Sequence, residues 1–168
     1  MRIIGGEYGS RAIAMPRGVG IRPTQDKVRE AVFNILGGVG EKNVLDLFAG
    51  SGGFGIEALS RGARRAAFVD SNYKCVEVIR ANLGALGIAA HRYDIIKANA
   101  LTVLARLAKA DEIYDLIFLD PPYHKDLVRK SLINIDACDI LSPAGIVVAE
   151  HFKKEELTLE FDSLVLEK

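Results

Sequence analysis

Sulfur and imidazole are scarce in this 168-residue sequence. The two cysteines, Cys75 and Cys138, lie far apart, no Cys-x-x-Cys occurs, and the three histidines are scattered. Neither a disulfide framework nor a zinc-ligand spacing can be assembled from them, so no metal is expected. Long apolar runs are also missing. None approaches the roughly 18 residues a membrane span needs, and Met1-Arg2-Ile3-Ile4-Gly5 offers no signal-peptide core. Net charge is missing as well: Lys plus Arg is 22 and Asp plus Glu is 22, which excludes a whole-molecule basic field as the means of finding a polyanion. What is present, 49% hydrophobic and 26% charged residues, is the balance of a folded globular chain about one domain long. The expectation is a reduced, cytoplasmic, single domain over 1–168, with a basic hairpin and connection over 1–22 and a core over 23–168.

The charges are unevenly spread. Residues 1–25 carry Arg2, Arg11, Arg17 and Arg22 against Glu7 alone, whereas residues 141–168 carry three lysines against six acids. A positive N-terminal segment of this kind can meet a polyanion while the rest keeps the molecule solvated, although four arginines on a hairpin can also be simply hydrated. The hairpin is read from Arg2-Ile3-Ile4 and Arg11-Ala12-Ile13-Ala14, which flank Gly-Gly-Glu-Tyr-Gly-Ser, with Pro16 stopping the second strand. A helix follows, with Thr24 as its N-cap, Val28, Val32, Ile35 and Leu36 on one face, and Gly37-Gly38 at its end.

From residue 43 short apolar runs alternate with amphipathic helices. The runs are Val44–Phe48, Ala66–Val69, a weaker Ala89–Tyr93, Leu116–Leu119 and Ile146–Ala149; helices are predicted near 53–61, 72–86, 99–108 and 125–136. Continuous apolar strands separated by helices indicate a parallel sheet covered on both faces, and right-handed crossovers make it a doubly wound, Rossmann-like α/β sheet.

Ligands of such sheets sit beyond the carboxyl ends of the strands. There the runs are followed by Asp46, Asp70, Asp94 and Asp120. One acid alone can be a helix cap, but four on one rim point to a site. Gly50, Gly52 and Gly55 form a Gly-x-Gly-x-x-Gly loop, with Asp70 twenty residues after the first glycine. A dinucleotide fits that spacing, with its pyrophosphate on the helix N-terminus and its ribose on the acid. S-adenosylmethionine fits it too, and Asp46 favours it: a carboxylate repels a pyrophosphate and attracts an ammonium and a sulfonium. Asp94 then supplies an acceptor for an adenine amino group.

Asp120-Pro121-Pro122-Tyr123 suits transfer to an exocyclic amine. Such an amine is a poor nucleophile because its lone pair is delocalised into the ring. Two acceptors on its hydrogens, the Asp120 carboxylate and the Pro121 carbonyl, localise and aim that lone pair. The prolines stiffen the turn and bring no competing N–H. Tyr123 offers a flat face for an extruded base.

Asp46-x-Phe48-Ala49-Gly50-Ser51-Gly52 together with Asp120-Pro121-Pro122-Tyr123 resembles the class I S-adenosylmethionine-dependent amino-methyltransferases. Met1-Arg2-Ile3-Ile4-Gly5-Gly6, the segment from Arg22-Pro23-Thr24 through Arg29-Glu30-Ala31 to Asn34-Ile35-Leu36, Glu57-Ala58-Leu59-Ser60-Arg61-Gly62-Ala63 and Glu150-His151 narrow the likeness. Over residues 1 to about 152 the sequence closely resembles the RsmD family, bacterial enzymes that methylate N2 of one guanine, nucleotide 966, in 16S ribosomal RNA. The resemblance implies that Phe48, Ala49, Gly50, Ser51 and Gly52 hold the methionine part of the donor, with Asp46 and Asp120 at the same site. It implies Asp70 and Ser71 on the ribose, Asp94 and Ile95 on the adenine, and Asp120 to Tyr123 on the guanine. Arg22, Pro23 and Thr24 would flank the site, and RNA contacts fall to Arg2, Arg11, Arg17, Arg22, Thr24 and Arg29. It further implies a monomer acting on small-subunit ribosomal RNA within a ribosomal particle. The family sheet has seven strands in order 3-2-1-4-5-7-6, the last antiparallel. Here Leu157–Leu159 and Leu164–Leu166 leave room for strand six and little more, so a missing or shortened last strand is expected.

Three rivals stand beside this reading. An adenine-N6 methyltransferase acting on DNA or RNA uses the same four-residue motif, and pocket shape chooses between the two targets. A nicotinamide oxidoreductase needs a phosphate loop free of Asp46 and a proton-transfer residue that the sequence does not offer. A non-catalytic RNA-binding module would not need the intact acids and the Pro-Pro turn.

Overall fold

The computed structural model describes residues 1–19, 26–122, 126–151 and 161–165. Five strands form one sheet: β1 (Asn43–Asp46), β2 (Arg65–Asp70), β3 (Tyr93–Lys97), β4 (Tyr114–Leu119) and β5 (Leu141–Ala149). Their order is β3-β2-β1-β4-β5 and every pairing is parallel. The order reverses between β1 and β4, the place where doubly wound sheets open a crevice.

Successive side chains on a strand face opposite ways, so two cores follow from one sheet. Val44, Phe68, Leu116 and Phe118 pack on one face, Leu45, Ala67, Val69, Ile117 and Leu119 on the other. The first face is covered by α1 (Asp26–Leu36), α2 (Gly53–Ser60) and α3 (Tyr73–Leu86), the second by α4 (Ala100–Lys109) and α5 (Leu127–Cys138). In α3 the predicted stripe Val76, Ile79, Leu83, Leu86 is buried, Asn72 caps the start by accepting from the Lys74 N–H at 2.9 Å, and Gly87 ends the helix at φ +71°.

Two sequence expectations are corrected here. The third strand is Tyr93–Lys97, not the Ala89–Tyr93 run; a 3₁₀ turn over Ala90–Arg92 occupies that stretch. The helix before the sheet buries Arg29 and Phe33, with Val32 and Leu36 packed beside them, while Val28 is 40% and Ile35 86% exposed. Its inner stripe therefore runs Arg29-Val32-Phe33-Leu36, not through Val28 and Ile35. Aromatic packing decides the rotation: Phe33 lies 5.6 Å from Phe118 and 6.4 Å from Phe54, and Phe54 stacks on Phe118 at 4.6 Å.

The N-terminal hairpin is present in a minimal form, one antiparallel bridge between Arg2 and Ala12 supported by Ile3 N–H to Arg11 O at 3.0 Å and Ser10 N–H to Ile3 O at 2.8 Å. So short a ribbon cannot stand alone. It is held by buried polar side chains of α2 and α3. The Glu57 carboxylate accepts from the Ile4 and Gly5 N–H groups at 2.7 and 2.9 Å. Ser60 Oγ accepts from Tyr8 N–H at 2.9 Å and donates to Gly5 O at 2.5 Å. Asn82 accepts from Ala14 N–H at 2.8 Å and donates to the carbonyls of Ala14 and Ser51 at 3.1 and 3.0 Å. Ile3, Tyr8 and Ile13 thereby join the core of the first sheet face.

Leu157–Leu159 and Leu166 lie outside the described residues, and Leu164 and Val165 are not in a strand. Residues 161–165 sit on α5: Asp136 accepts from the N–H groups of Asp162 and Ser163, both at 2.9 Å, and Phe161 and Leu164 pack on the second core. Among the described residues, no helix is long and apolar enough to cross a membrane.

Candidate active site

The turn from β1 into α2 is built by glycine geometry. Gly52 caps α2 in the left-handed region at φ +82°, and its carbonyl accepts from Ile56 N–H at 2.8 Å. A methyl group on Gly55 would stand 2.3 Å from Cε1 of the buried Phe68 ring, so only glycine lets α2 lie this close to β2. That approach places the Gly55 N–H on Asp46, whose Oδ2 accepts it at 3.0 Å. Ala49 N–H is fixed on Val69 O at 3.0 Å, Ser51 is buried with its carbonyl on Asn82, and Phe48 packs partly on the second core.

Asp70, at the carboxyl end of β2, accepts from Gly50 N–H at 2.9 Å through one oxygen and from Asn72 N–H at 2.8 Å through the other. It thus pins the glycine loop to β2, with Ser71 beside it in the turn. The buried Cys75 thiol also donates to it; burial first, then the Asp70 charge and this hydrogen bond, push the thiol up to about 12. Asp120 follows β4 directly, with Pro121 buried and Pro122 exposed. Asp46 is 3% exposed, and burial pushes its carboxyl up to about 7; the Gly55 N–H opposes this, while the Asp120 and Asp70 charges add to it. Asp120 and Asp70 are therefore both near enough for Asp46 to feel their charge. Strand alternation places all three on the first face of the sheet.

Asp94 does not join them. As the second residue of β3 it lies opposite Ala67, toward the amino end of the strand and on the second face, and it is ion-paired with Arg65. The expectation that it follows the third strand came from ending that strand four residues early. Ile95 lies mid-strand opposite Phe68, packed on the first core. The residues at the carboxyl end of β3 are Lys97, Ala98 and Asn99, and Asn99 caps α4 by accepting from Leu101 N–H at 2.9 Å. The signal for it was available: a polar N-cap two residues after the true strand end.

The basic residues are corrected too. Arg29 is 1% exposed, and its guanidinium donates to Arg2 O and to Asp26 at 3.1 Å, with Nε 3.7 Å from Glu57. A side chain so enclosed cannot meet a phosphate. Arg11 donates to the carbonyls of Ala85 and Leu86 at 2.9 and 3.4 Å, tying the hairpin to the end of α3, and Arg2 donates to Ser10 O at 3.1 Å. Arg17 is exposed. Arg22, Thr24 and Tyr123 lie outside the described residues.

Residues 1–168 match the family described as Conserved hypothetical protein 95. The chain belongs to that family. YlbH of Bacillus subtilis, provisionally named an rRNA methyltransferase, is 39% identical over 167 residues, 99% of this chain and 90% of that protein. Ribosomal RNA small subunit methyltransferase D of Haemophilus influenzae is 31% identical over 170 residues, 100% of this chain and 88% of that one. Among solved structures, yhhF of Escherichia coli, provisionally titled a methyltransferase, superposes with TM-score 0.80 at 30% identity, covering 93% of this chain and 84% of its own. SMU.776, solved in complex with SAH, superposes with TM-score 0.64 at 25% identity over 79% of this chain and 36% of its own. The Conserved hypothetical protein 95 sheet described above is thus the Rossmann-like sheet of S-adenosylmethionine-dependent methyltransferases.

Proposed function

We propose that this protein transfers a methyl group from S-adenosylmethionine to the exocyclic N2 of a guanine in small-subunit ribosomal RNA. The observation that carries the reading is the cluster of Asp46, Asp70 and Asp120 around a glycine loop. A buried carboxylate, Asp46, whose ionisation is opposed by burial and by the charges of Asp120 and Asp70, fits a cationic ligand and disfavours a pyrophosphate. S-adenosylmethionine supplies an electrophilic methyl on a sulfonium centre. Asp46 would face its positive charge, the loop at Gly50–Gly52 would line its amino-acid end, and Asp70, already oriented by two backbone N–H groups, would accept from the ribose hydroxyls. On the adenine side the polar group at the end of β3 is Asn99, which takes the place expected for Asp94.

Asp120 and the Pro121 carbonyl grip the hydrogens of the target amine and turn its lone pair toward the methyl group. As the N–C bond forms, the sulfonium S–C bond would break and the donor would leave as the neutral thioether S-adenosylhomocysteine; the aminium proton would then pass to Asp120 or to water. Holding the two reactants in line recovers much of the roughly 7–11 kcal/mol available from orientation. The ribosomal RNA substrate is supported by the names of the relatives, and the amine class by the Asp-Pro-Pro-Tyr turn. Incubation with labelled donor and small subunits from a strain lacking the enzyme, followed by mapping, tests it: one labelled guanine-N2 is expected. Label on an adenine N6 would overturn the base assignment, and no label would overturn the activity.

Donor binding should also depend on pH. The donor cation favours ionised Asp46, so binding must expel the proton that Asp46 holds near neutrality. Affinity is expected to fall by up to about tenfold per pH unit below about 7 and to level off above it. Calorimetric titration between pH 5.5 and 7.5 reads this. In Asp46→Asn the slope should vanish and the affinity drop, because the amide can still accept from Gly55 N–H but carries no charge.

A further inference from the structure

With Arg29 buried and Arg11 and Arg2 bound to backbone carbonyls, the hairpin has little positive surface left for a polyanion. A different part of the rim carries it. Tyr73 opens α3 and is 59% exposed, and Lys97 Nζ sits 5.5 Å from the centroid of its ring. Lys97 ends β3 opposite Asp70 in the register, so the pair stands at the lip of the donor crevice. Lys74, the second residue of α3, is exposed, and its Nζ lies 3.7 Å from where a Cβ on Gly18 would be, which brings it beside Arg17.

None of Lys74, Lys97 and Arg17 has an ion-pair partner among the described residues. The nearby acids are engaged: Glu77 with Arg80, and Asp70 with the Gly50 and Asn72 N–H groups. A lysine in the first turn of a helix also works against the helix dipole, and α3 carries no acid there to offset it. The local sequence is therefore unfavourable for the free protein and becomes favourable beside an anion. An aromatic face interleaved with three cations is the pattern that holds an unstacked nucleic-acid strand.

We infer that this lip, Tyr73 with Lys74, Lys97 and Arg17, is where ribosomal RNA lies next to the target nucleotide, one unpaired base on the Tyr73 ring and phosphates on the three cations. The inference rests on the proposed rRNA methyltransferase activity. Binding to undermethylated small subunits, measured across a salt series, tests it alongside donor affinity and methylation.

Tyr73→Ala is expected to weaken subunit binding about tenfold or more, and Tyr73→Phe to restore it, since the ring and not the hydroxyl stacks. Lys74→Gln with Lys97→Gln should lower the slope of log affinity against log salt by about 1.4, about 0.7 for each phosphate released. Donor affinity should stay unchanged in all three variants. Wild-type affinity and slope in these variants, with the wild type still methylating subunits, would overturn the RNA lip and leave the activity standing. Weaker binding with an unchanged slope in the Lys74, Lys97 variant would assign the patch to a protein contact and overturn it as well. Failure of the wild type to methylate any subunit would remove the reading on which the inference rests.

Discussion

Replacing Asp120 with alanine is expected to lower the rate of methyl transfer at least about a hundredfold, roughly 2.7 kcal/mol of transition-state stabilisation, while the donor still binds within a few-fold of wild type. The separation follows from where Asp120 sits. It is carried past β4 on a turn in which Pro121 is buried, so its backbone cannot shift to let another group take over. Toward the donor it is one of three acids, and its charge opposes the ionisation of Asp46. Its loss therefore removes one attraction to the donor and releases Asp46 to ionise more readily, two effects of opposite sign on binding. Toward the target amine nothing compensates. Asp120→Asn, which keeps an acceptor oxygen without the charge, should retain more activity than Asp120→Ala. Single-turnover methylation of undermodified subunits, with donor affinity measured alongside, reads both quantities. Methylation at the normal rate in Asp120→Ala would mean that another group orients the amine.

The largest effect on stability is expected at Glu57, which is wholly buried. Its carboxylate accepts from two hairpin N–H groups, from Arg61 Nε at 2.8 Å, and faces Arg29 Nε at 3.7 Å. Alanine there leaves an enclosed guanidinium with only the half-exposed Asp26 as counter-charge, and two backbone donors without an acceptor. Removing one partner of such a pair costs about 3–5 kcal/mol, a large share of a total near 5–15 kcal/mol. Urea denaturation should show the midpoint falling with little change in slope, and limited proteolysis should release the first residues of the chain early. Pairing Glu57→Gln with Arg29→Met should recover part of the loss, because the uncompensated charge goes with its partner. Equal losses in Glu57→Gln alone and in the pair would show that the hairpin contacts, not the ion pair, carry the energy.

Much of this architecture was legible in the sequence, for definite reasons. Period-2 burial is absent and apolar runs are short, so β1, β2 and β4 and their helices stand out, and Gly37 and Gly87 mark where α1 and α3 stop. The loop from Asp46 to Gly55 was legible because its glycines are demanded by backbone geometry and by Phe68. Three features were not. The third strand sets only two apolar residues, Ile95 and Ile96, between Asp94 and Lys97 at the sheet edge, and so short an apolar run stood out less than the Ala-Ala run before it. Arg29 was read as a solvent-facing cation because a buried arginine becomes plausible only once Glu57 is known to lie across from it, 28 positions on in sequence. The rotation of α1 followed the branched residues Val28 and Ile35, whereas the contacts among Phe33, Phe54 and Phe118 set it. Each miss concerns a residue whose partner is distant in the chain.

The docking of the amino-terminal ribbon has a consequence for biosynthesis. Its anchors on Glu57, Ser60, Asn82 and the last turn of α3 lie 52 to 75 positions downstream. The Arg29 contact to Arg2 O can form earlier, but the ribbon is fully anchored only once α2 and α3 have both been made. Until then Ile3, Tyr8 and Ile13 stay exposed to solvent, chaperones and proteases. Closing this ribbon is a late event in folding, because most of what holds it is made 52 or more positions later.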